Sequence, residues 1–430
     1  MLYILILLLF ISFFIVFKKA TKYKYDQKKD YIYDLEKHFI KEVNLDTTNL
    51  DLQTHDNYDT LFLEIKIATK LLSYFAKPYM QIGDTKHYFE YGAHGLRYIN
   101  ISHIKSNDQI KTNMKLVSKT SKLYGFKNKI DPNNDNILIL APHADDAEIA
   151  AFGLYKTAKD VTIVTTTMGE KGVCNYCDFY EGNKTKAAQK KAQLRLLDAL
   201  HIPSFGEVEI ENSLALGYFG GSLKFMYNNT EQNAVSSIKN FGSMQKYRKV
   251  KHAKIQLPQI IDPNFKAFNN DLEEILTQLK PTIIITPHPQ IDSHPDHKYT
   301  TLSLFRALDN LELDTQILLY TNHLKQSENY PIGEMFGSVD LPVNFNEFQY
   351  DSIYSFSLTD TLQKEKYFAL ESIHDLRDSF LPISLKKAFK NCNRLLKKEL
   401  LSKDKSYFRR AVRKHELFFV LEHKNYTRFL

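Results

Sequence analysis

The residues best equipped for chemistry fall in two short clusters. The first reads Ala141-Pro142-His143-Ala144-Asp145-Asp146-Ala147-Glu148. The second reads Pro287-His288-Pro289-Gln290-Ile291-Asp292-Ser293-His294-Pro295-Asp296-His297. Two histidines and one carboxylate with open coordination positions describe a catalytic zinc site, whereas a structural site is closed by four protein ligands. Hydrolysis also needs a base beside the attacking water and a donor facing the developing oxyanion. Together the clusters supply all of these groups. Taken singly, either reads equally well as aspartates capping a helix and histidines in a surface loop.

Bringing the clusters together falls to the elements around them. Each directly follows a short apolar or β-branched run, at residues 137–140 and 282–286. Similar runs at 161–165 and 317–320 alternate with helix-like segments, clearest at 184–200 and 271–279. This alternation predicts a Rossmann-like α/β fold, a largely parallel sheet with helices on both faces. Such sheets bind ligands at the carboxyl ends of their strands, where both clusters would lie. Eight of the 15 glycines fall between Gly153 and Gly221, so backbone freedom is concentrated in the loops after the first of these strands.

At these residues the sequence resembles the PIG-L/LmbE-like family, zinc-dependent de-N-acetylases of N-acetylglucosamine conjugates. That family pairs a His-Pro-Asp-Asp-Glu motif with a distant His-x-Asp-His, and the resemblance runs from about residue 136 to 307. It implies that His143, Asp146 and His297 are the ligands of one Zn2+ and that Asp145 is the general base. It further implies that His294 stabilises the tetrahedral intermediate, with Asp296 orienting it. Thr167-Met168-Gly169-Glu170-Lys171-Gly172 resembles the family's Thr-x-Gly-Glu-x-Gly loop, which places Glu170 and Gly172 beside the substrate. Two departures stand out. Ala144 replaces the usual proline and the acid is displaced to Glu148, a form that some bacterial members share. Gln189-Lys190-Lys191-Ala192-Gln193 stands where the family commonly carries Arg-x-x-Glu for sugar contacts, which leaves the substrate open.

The rest of the 430 residues bounds the setting. A net charge of +7 is too small to indicate a nucleic-acid partner. Three cysteines exclude a disulfide scaffold and fit a reducing compartment. Cys174-Asn175-Tyr176-Cys177 lacks the second ligand pair of a zinc knuckle and reads as a loop near the pocket. His288 reads as the end of its strand. Near-alternating patterns at 61–67, 87–91 and 96–101 predict a small β-rich accessory domain over 31–130, followed by a catalytic domain over 131–430.

Residues 1–17 carry no charged side chain and precede a basic segment, 18–30, with six lysines and two aspartates. This order predicts an uncleaved transmembrane helix with the body of the protein on the cytoplasmic side. Leu385, Phe389, Cys392, Leu396 and Leu400 form an apolar stripe among lysines and arginines. Such a basic helix lies on an anionic membrane surface or packs on the core with its basic face solvated. The expected activity is a membrane-anchored zinc N-deacetylase acting on an N-acetylated, lipid- or glycan-linked sugar. The alternatives are a hydrolase of soluble N-acyl sugar conjugates and a non-catalytic sugar-binding scaffold.

Overall fold

The computed structural model describes residues 3–11, 23–45, 57–68, 73, 76–104, 108–311, 313–376, 407–422 and 424–430. The amino-terminal strands are β1 (Phe39–Asn44), β2 (Thr60–Ala68), β3 (Tyr79–Ile82), β4 (Thr85–Tyr88), β5 (Gly95–Asn100), β6 (Ile110–Thr112), β7 (Lys115–Leu116) and β8 (Thr120–Phe126). They pair antiparallel in two sheets, one ordered β1-β8-β2-β5 with β7 against β2, the other β4-β3-β6. Period-two alternation on β2 turns Leu61, Leu63, Ile65 and Ile67 inward, where they meet Met80 and Ile82 of β3 and Ile99 of β5 in one apolar core.

The strands that follow are β9 (Asn136–Ala141), β10 (Asp160–Thr167), β11 (Ser213–Tyr218), β12 (Ile283–Pro287), β13 (Gln316–Tyr320), β14 (Ser352–Ser357) and β15 (His415–Leu421). They form a single sheet in the order β11-β10-β9-β12-β13-β15-β14. The first five run parallel, and β15 and β14 close one edge antiparallel. The helices are α1 (Asp146–Thr157), α2 (Lys184–His201), α3 (Leu223–Asn228), α4 (Phe265–Leu279), α5 (Pro295–Leu311), α6 (Asp360–Ser372) and α7 (Tyr407–Ala411). Strand β9 shows why both faces are covered. Ile137 and Ile139 pack with Phe152 and Leu154 of α1 and Leu370 of α6. Leu138 and Leu140 face the other way, into the cluster holding Leu272 of α4 and Phe305 of α5. The molecule is therefore a mixed α/β fold with several sheets, the largest of them mostly parallel.

Topology sets the position of the site. From β9 the chain moves outward to β10 and β11, then returns to the other side of β9 as β12 and β13. The strand order reverses between β9 and β12, and the crevice beyond such a switch point is where open α/β sheets bind ligands. Helix α1 begins in that crevice and is kinked at Ala151 (φ −141°, ψ 15°). The amides of Gly153 and Leu154, displaced from the helical ladder, donate to the two oxygens of Glu416 on β15 at 2.8 and 2.9 Å. Lys366 of α6 neutralises that buried carboxylate at 2.7 Å, so α6 and the antiparallel edge jointly fix α1.

The expected transmembrane helix has no support. Among the described residues, no helix is long and apolar enough to cross a membrane. Residues 3–11 are helical and exposed. Residues 12–22 lie outside the described residues, as do 384–406, on which the apolar stripe of the expected basic helix falls.

Candidate active site

His143 follows β9 by two residues and Asp146 opens α1, while His294 immediately precedes α5 and His297 sits in its first turn. Strand register therefore brings the two clusters to one crevice. His143 Nδ1 lies 3.1 Å from Asp146 Oδ2, His297 Nε2 lies 3.1 Å from the same oxygen, and the two nitrogens are 3.2 Å apart. A tetrahedral zinc ion with bonds of 2.0–2.1 Å requires donor atoms about 3.3 Å apart, so this triangle fits one face of such a site. His294 and Asp145 are close enough to His143 to complete two further groups able to hold an ion, His143–His294–His297 and His143–Asp145–Asp146.

Each of the three converging groups is braced from behind. His297 Nδ1 lies 3.1 Å from Asp292 Oδ2, and His143 Nε2 lies 3.4 Å from Asp296 Oδ2. Asn322, just past β13, donates to Asp146 Oδ1 at 2.8 Å. Asp292 is itself fixed by the backbone amides of His294, Asn322 and His323 at 3.0, 3.0 and 3.2 Å. Outer carboxylates of this kind set ring orientation and raise the basicity of ligating imidazoles. The electrostatics agree. Burial opposes protonation of His297 and His143, yet Asp146 and Asp292 around the first, and Asp146 and Asp296 around the second, hold both above the ordinary imidazole value. Against its own burial, Asp146 is held well below the carboxylate range by His297 and His143.

His294 is different. Burial and the neighbouring His143 and His297 lower its pKa to about 4, so it is neutral at neutral pH. Its Nδ1 accepts the Asp296 amide at 3.2 Å, which leaves the proton on Nε2 as a donor. The Asp296 carboxylate, expected to orient His294, is not placed on that ring. The backbone of Asp296 holds His294, while its carboxylate faces His143 and accepts the Gly221 amide at 2.7 Å.

These groups open into a cleft of about 570 Å3 lined by His143, Asp145, His294, Gly172, Lys191 and Tyr407, among others. Asp145 Oδ1 receives Arg195 Nη2 at 3.0 Å from α2. The Gly169 backbone has φ +61°, and a β-carbon there would stand 2.5 Å from Arg195 Nε, so the glycine makes room for the guanidinium. Residues 189–193, where the family commonly carries Arg-x-x-Glu, hold no arginine. The helix presents Arg195 and Asp198 slightly later, at the spacing of an Arg-x-x-acid pair, and Asp198 Oδ1 holds His374 Nδ1 at 2.6 Å.

Glu170 does not face the cleft: Oε2 takes the Gly220 amide and Oε1 takes Ser236 Oγ, each at 2.8 Å, so both oxygens shape the glycine turn. Gly172, by contrast, lines the cleft as expected. Cys174 and Cys177 lie in the loop after Gly172, as read, but are joined by a disulfide, which departs from the reducing compartment that the cysteine count suggests. Glu148, the displaced acid, is buried behind the site with its pKa raised to about 8, mainly by burial. His288 is enclosed by Phe348, Phe419 and Phe429 and has no place in the donor cluster. Asn322, Arg195, Asp375 and Tyr407 escaped the sequence reading because each enters from an element far along the chain. Only Arg195 left a recoverable signal, its spacing to Asp198.

Fold and site together define a mixed α/β protein with a His/Asp group at the sheet switch point that could hold a metal ion. Residues 138–308 match the family model of PIG-L, GlcNAc-PI de-N-acetylase. The resemblance carried by the two motifs is therefore shown over that region. No curated protein matches the chain. Among solved structures, the chain is similar to the deacetylase of the antimicrobial A40926 pseudoaglycone, at 14% identity over 68% of this chain and 99% of that one, with a TM-score of 0.34. It is also similar to N,N'-diacetylchitobiose deacetylase from Pyrococcus horikoshii, at 16% identity over 67% and 84%, with a TM-score of 0.30. A zinc-inhibited form of teicoplanin deacetylase aligns at 12% identity over 67% and 99%, with a TM-score of 0.34.

Proposed function

We propose that the chain is a zinc-dependent N-deacetylase that removes acetyl from an N-acetylglucosamine-type sugar. The observation that carries this reading is the 3.1–3.2 Å triangle of His143 Nδ1, Asp146 Oδ2 and His297 Nε2. These three residues would hold the ion, which when bound supplies Lewis-acid polarisation of the amide carbonyl and lowers the pKa of water towards neutrality. Asp145 takes the proton of the attacking water and returns it to the leaving amine. Arg195 occupies Asp145 Oδ1, which leaves Oδ2 as the oxygen that carries the proton. His294 presents Nε2–H to the oxyanion of the tetrahedral intermediate, the Asp296 amide holding Nδ1 as an acceptor. The cleft has the size of sites that take small molecules, and its lysines and tyrosine supply polar contacts for a sugar.

The finer reading concerns location. The uncharged run 1–17 followed by six lysines is the support for a membrane-held enzyme facing the cytoplasm and acting on a lipid-linked sugar.

The test incubates zinc-loaded protein with a panel of N-acetylated glycolipids and soluble glycosides and measures released acetate, with Asp145→Asn as control. Release from at least one sugar that the substitution abolishes is the expected result. Equal release by both proteins would remove Asp145 as base, and no release from any sugar would favour a binding protein.

A further inference from the structure

We infer that Cys174 and Cys177 form a dithiol-reducible site whose redox state sets the grip of Arg195 on Asp145; the inference rests on the deacetylase reading above. The bond joins two residues three apart in the loop between Gly172, which lines the cleft, and α2. Asn175 lies inside the ring that the bond closes, and its Nδ2 donates to Asp375 Oδ1 at 3.1 Å. The other oxygen of Asp375 receives Arg195 Nη1, together with Lys191 Nζ at 3.2 Å. Arg195 then reaches Asp145 Oδ1 through Nη2 at 3.0 Å. A series of side-chain contacts therefore runs from Asn175, whose backbone lies within the disulfide ring, to the catalytic base. Every group in it after Asn175 is buried or nearly so.

The disulfide acts on Asn175 because so small a ring leaves the enclosed chain few conformations. The loop has other ties: the Gly182 amide donates to the Cys177 carbonyl at 2.9 Å, and Asn175 N donates to the Val173 carbonyl at 3.1 Å. Opening the sulfur bridge would thus free the Asn175 side chain without dissolving the loop. Asp375, with one contact fewer, would hold Arg195 less firmly, and Arg195 would hold Asp145 less firmly in turn.

Cys174 is exposed and Cys177 partly so, which suits attack by a small dithiol or a dithiol protein. A thiolate of the reductant attacks Cys174 Sγ, the protein S–S bond breaks, and Cys177 leaves as thiolate. The second thiol of the reductant then displaces Cys174 from the mixed disulfide. Two electrons and two protons have passed to the protein, which carries two thiols, and the reductant has become a disulfide.

The experiment poises the full-length, zinc-loaded protein across ratios of reduced to oxidised dithiothreitol. At each ratio the thiols are counted by alkylation and mass spectrometry, and kcat and KM are measured on a sugar from the panel that releases acetate. Reduction should lower kcat by about tenfold, a fraction of the on the order of 10²-fold loss that a 1 Å misplacement produces. Asn175→Ala in the oxidised protein should show the same low kcat and no further response to reduction, as should the double substitution Cys174→Ser, Cys177→Ser. Amide hydrogen exchange at residues 374–376 should rise on reduction, a readout that needs no substrate. Unchanged kcat in protein shown to carry the two new thiols would overturn the inference. So would an Asn175→Ala variant that still responds to reduction, or exchange at 374–376 indifferent to redox state. If exchange responds but no sugar is deacetylated in either state, the deacetylase reading fails and the link between the disulfide and Asp375 stands.

Discussion

At the carboxyl edge of the large sheet, His143, His294 and His297 converge among Asp146, Asp292 and Asp296. At the seam between the sheets, His87 of β4, His103 and His415 of β15 gather, with Asp340 paired to His87. In the first cluster, carboxylates outweigh burial and hold His143 and His297 above the ordinary imidazole value. In the second, burial comes first and the adjacent His103, His87, Lys414 and Arg413 add to it, so His415 lies well below that value. Asp340 serves the other end of the cluster, where its Oδ1 takes the Asn100 amide at 2.9 Å and Ser338 Oγ at 2.8 Å and lies 2.8 Å from His87 Nδ1. Three imidazoles in proximity therefore do not make a reactive site. The carboxylates behind them decide: Asp146, Asp292 and Asp296 stand against His143 and His297, whereas the nitrogens of His415 face His103, Ser338 Oγ and the Val339 amide.

This contrast predicts that substitutions in the first cluster should damage chemistry and spare stability, with the reverse at the seam. Asp145→Asn carries the largest expected effect, a fall in kcat of about 10²–10⁴-fold, the usual contribution of a positioned general base. Acetate release and the thermal midpoint measured on the same preparation would show whether activity is lost with folding intact. Asp292→Asn should act more gently and through the metal. With its neighbour to His297 Nδ1 weakened, zinc affinity should fall about 10–100-fold, read by competition with a chromogenic chelator. An unchanged affinity would mean that the 3.1 Å contact is not supporting a ligand. At the seam, Asp340→Ala strands the Asn100 amide and His87, at a cost of about 1–3 kcal/mol for each buried group left unpaired. Denaturant unfolding should register that loss while kcat stays at the wild-type value.

The two clusters also differ in how much of them the sequence discloses. His143, Asp145, Asp146, His294 and His297 are legible because each set must follow a strand that ends at the crevice, and short apolar runs mark those strands. Asp292 stands in the second motif with nothing to distinguish it from a loop aspartate until His297 Nδ1 is seen beside it. Asn322 and Asp375 come from later elements, and the register that delivers them depends on how β13 and the antiparallel edge are seated. Strands β14 and β15 are not read from the sequence, because they lie beyond the alternating pattern that marks the parallel strands. The seam cluster is invisible for the same reason in stronger form. His103 and His415 are 312 residues apart and meet at 2.8 Å only because β15 enters the large sheet beside β13.

The smallest expected effect concerns pH and tests the seam most directly. His415 Nδ1 accepts the Val339 amide at 3.4 Å and lies 3.3 Å from Ser338 Oγ, while Nε2 faces His103 Nδ1 at 2.8 Å. With Nδ1 an acceptor, the neutral ring carries its proton on Nε2. A second proton would turn Nδ1 into a donor aimed at another donor, in a buried site already flanked by Lys414 and Arg413. The folded chain therefore excludes this proton, whereas the unfolded chain takes it up below the ordinary imidazole value of about 6.5. Stability from this group is complete above that pH and declines as pH falls below it, by at most about 1.4 kcal/mol per pH unit for one proton. His288, lowered to about 3 by burial, contributes with the same sign, so the wild-type slope is not due to His415 alone. His415→Gln should accordingly lower stability at pH 7.5 but flatten its decline between pH 6.5 and 4.5. An unaltered slope in the variant would show that the seam accommodates the charged ring after all.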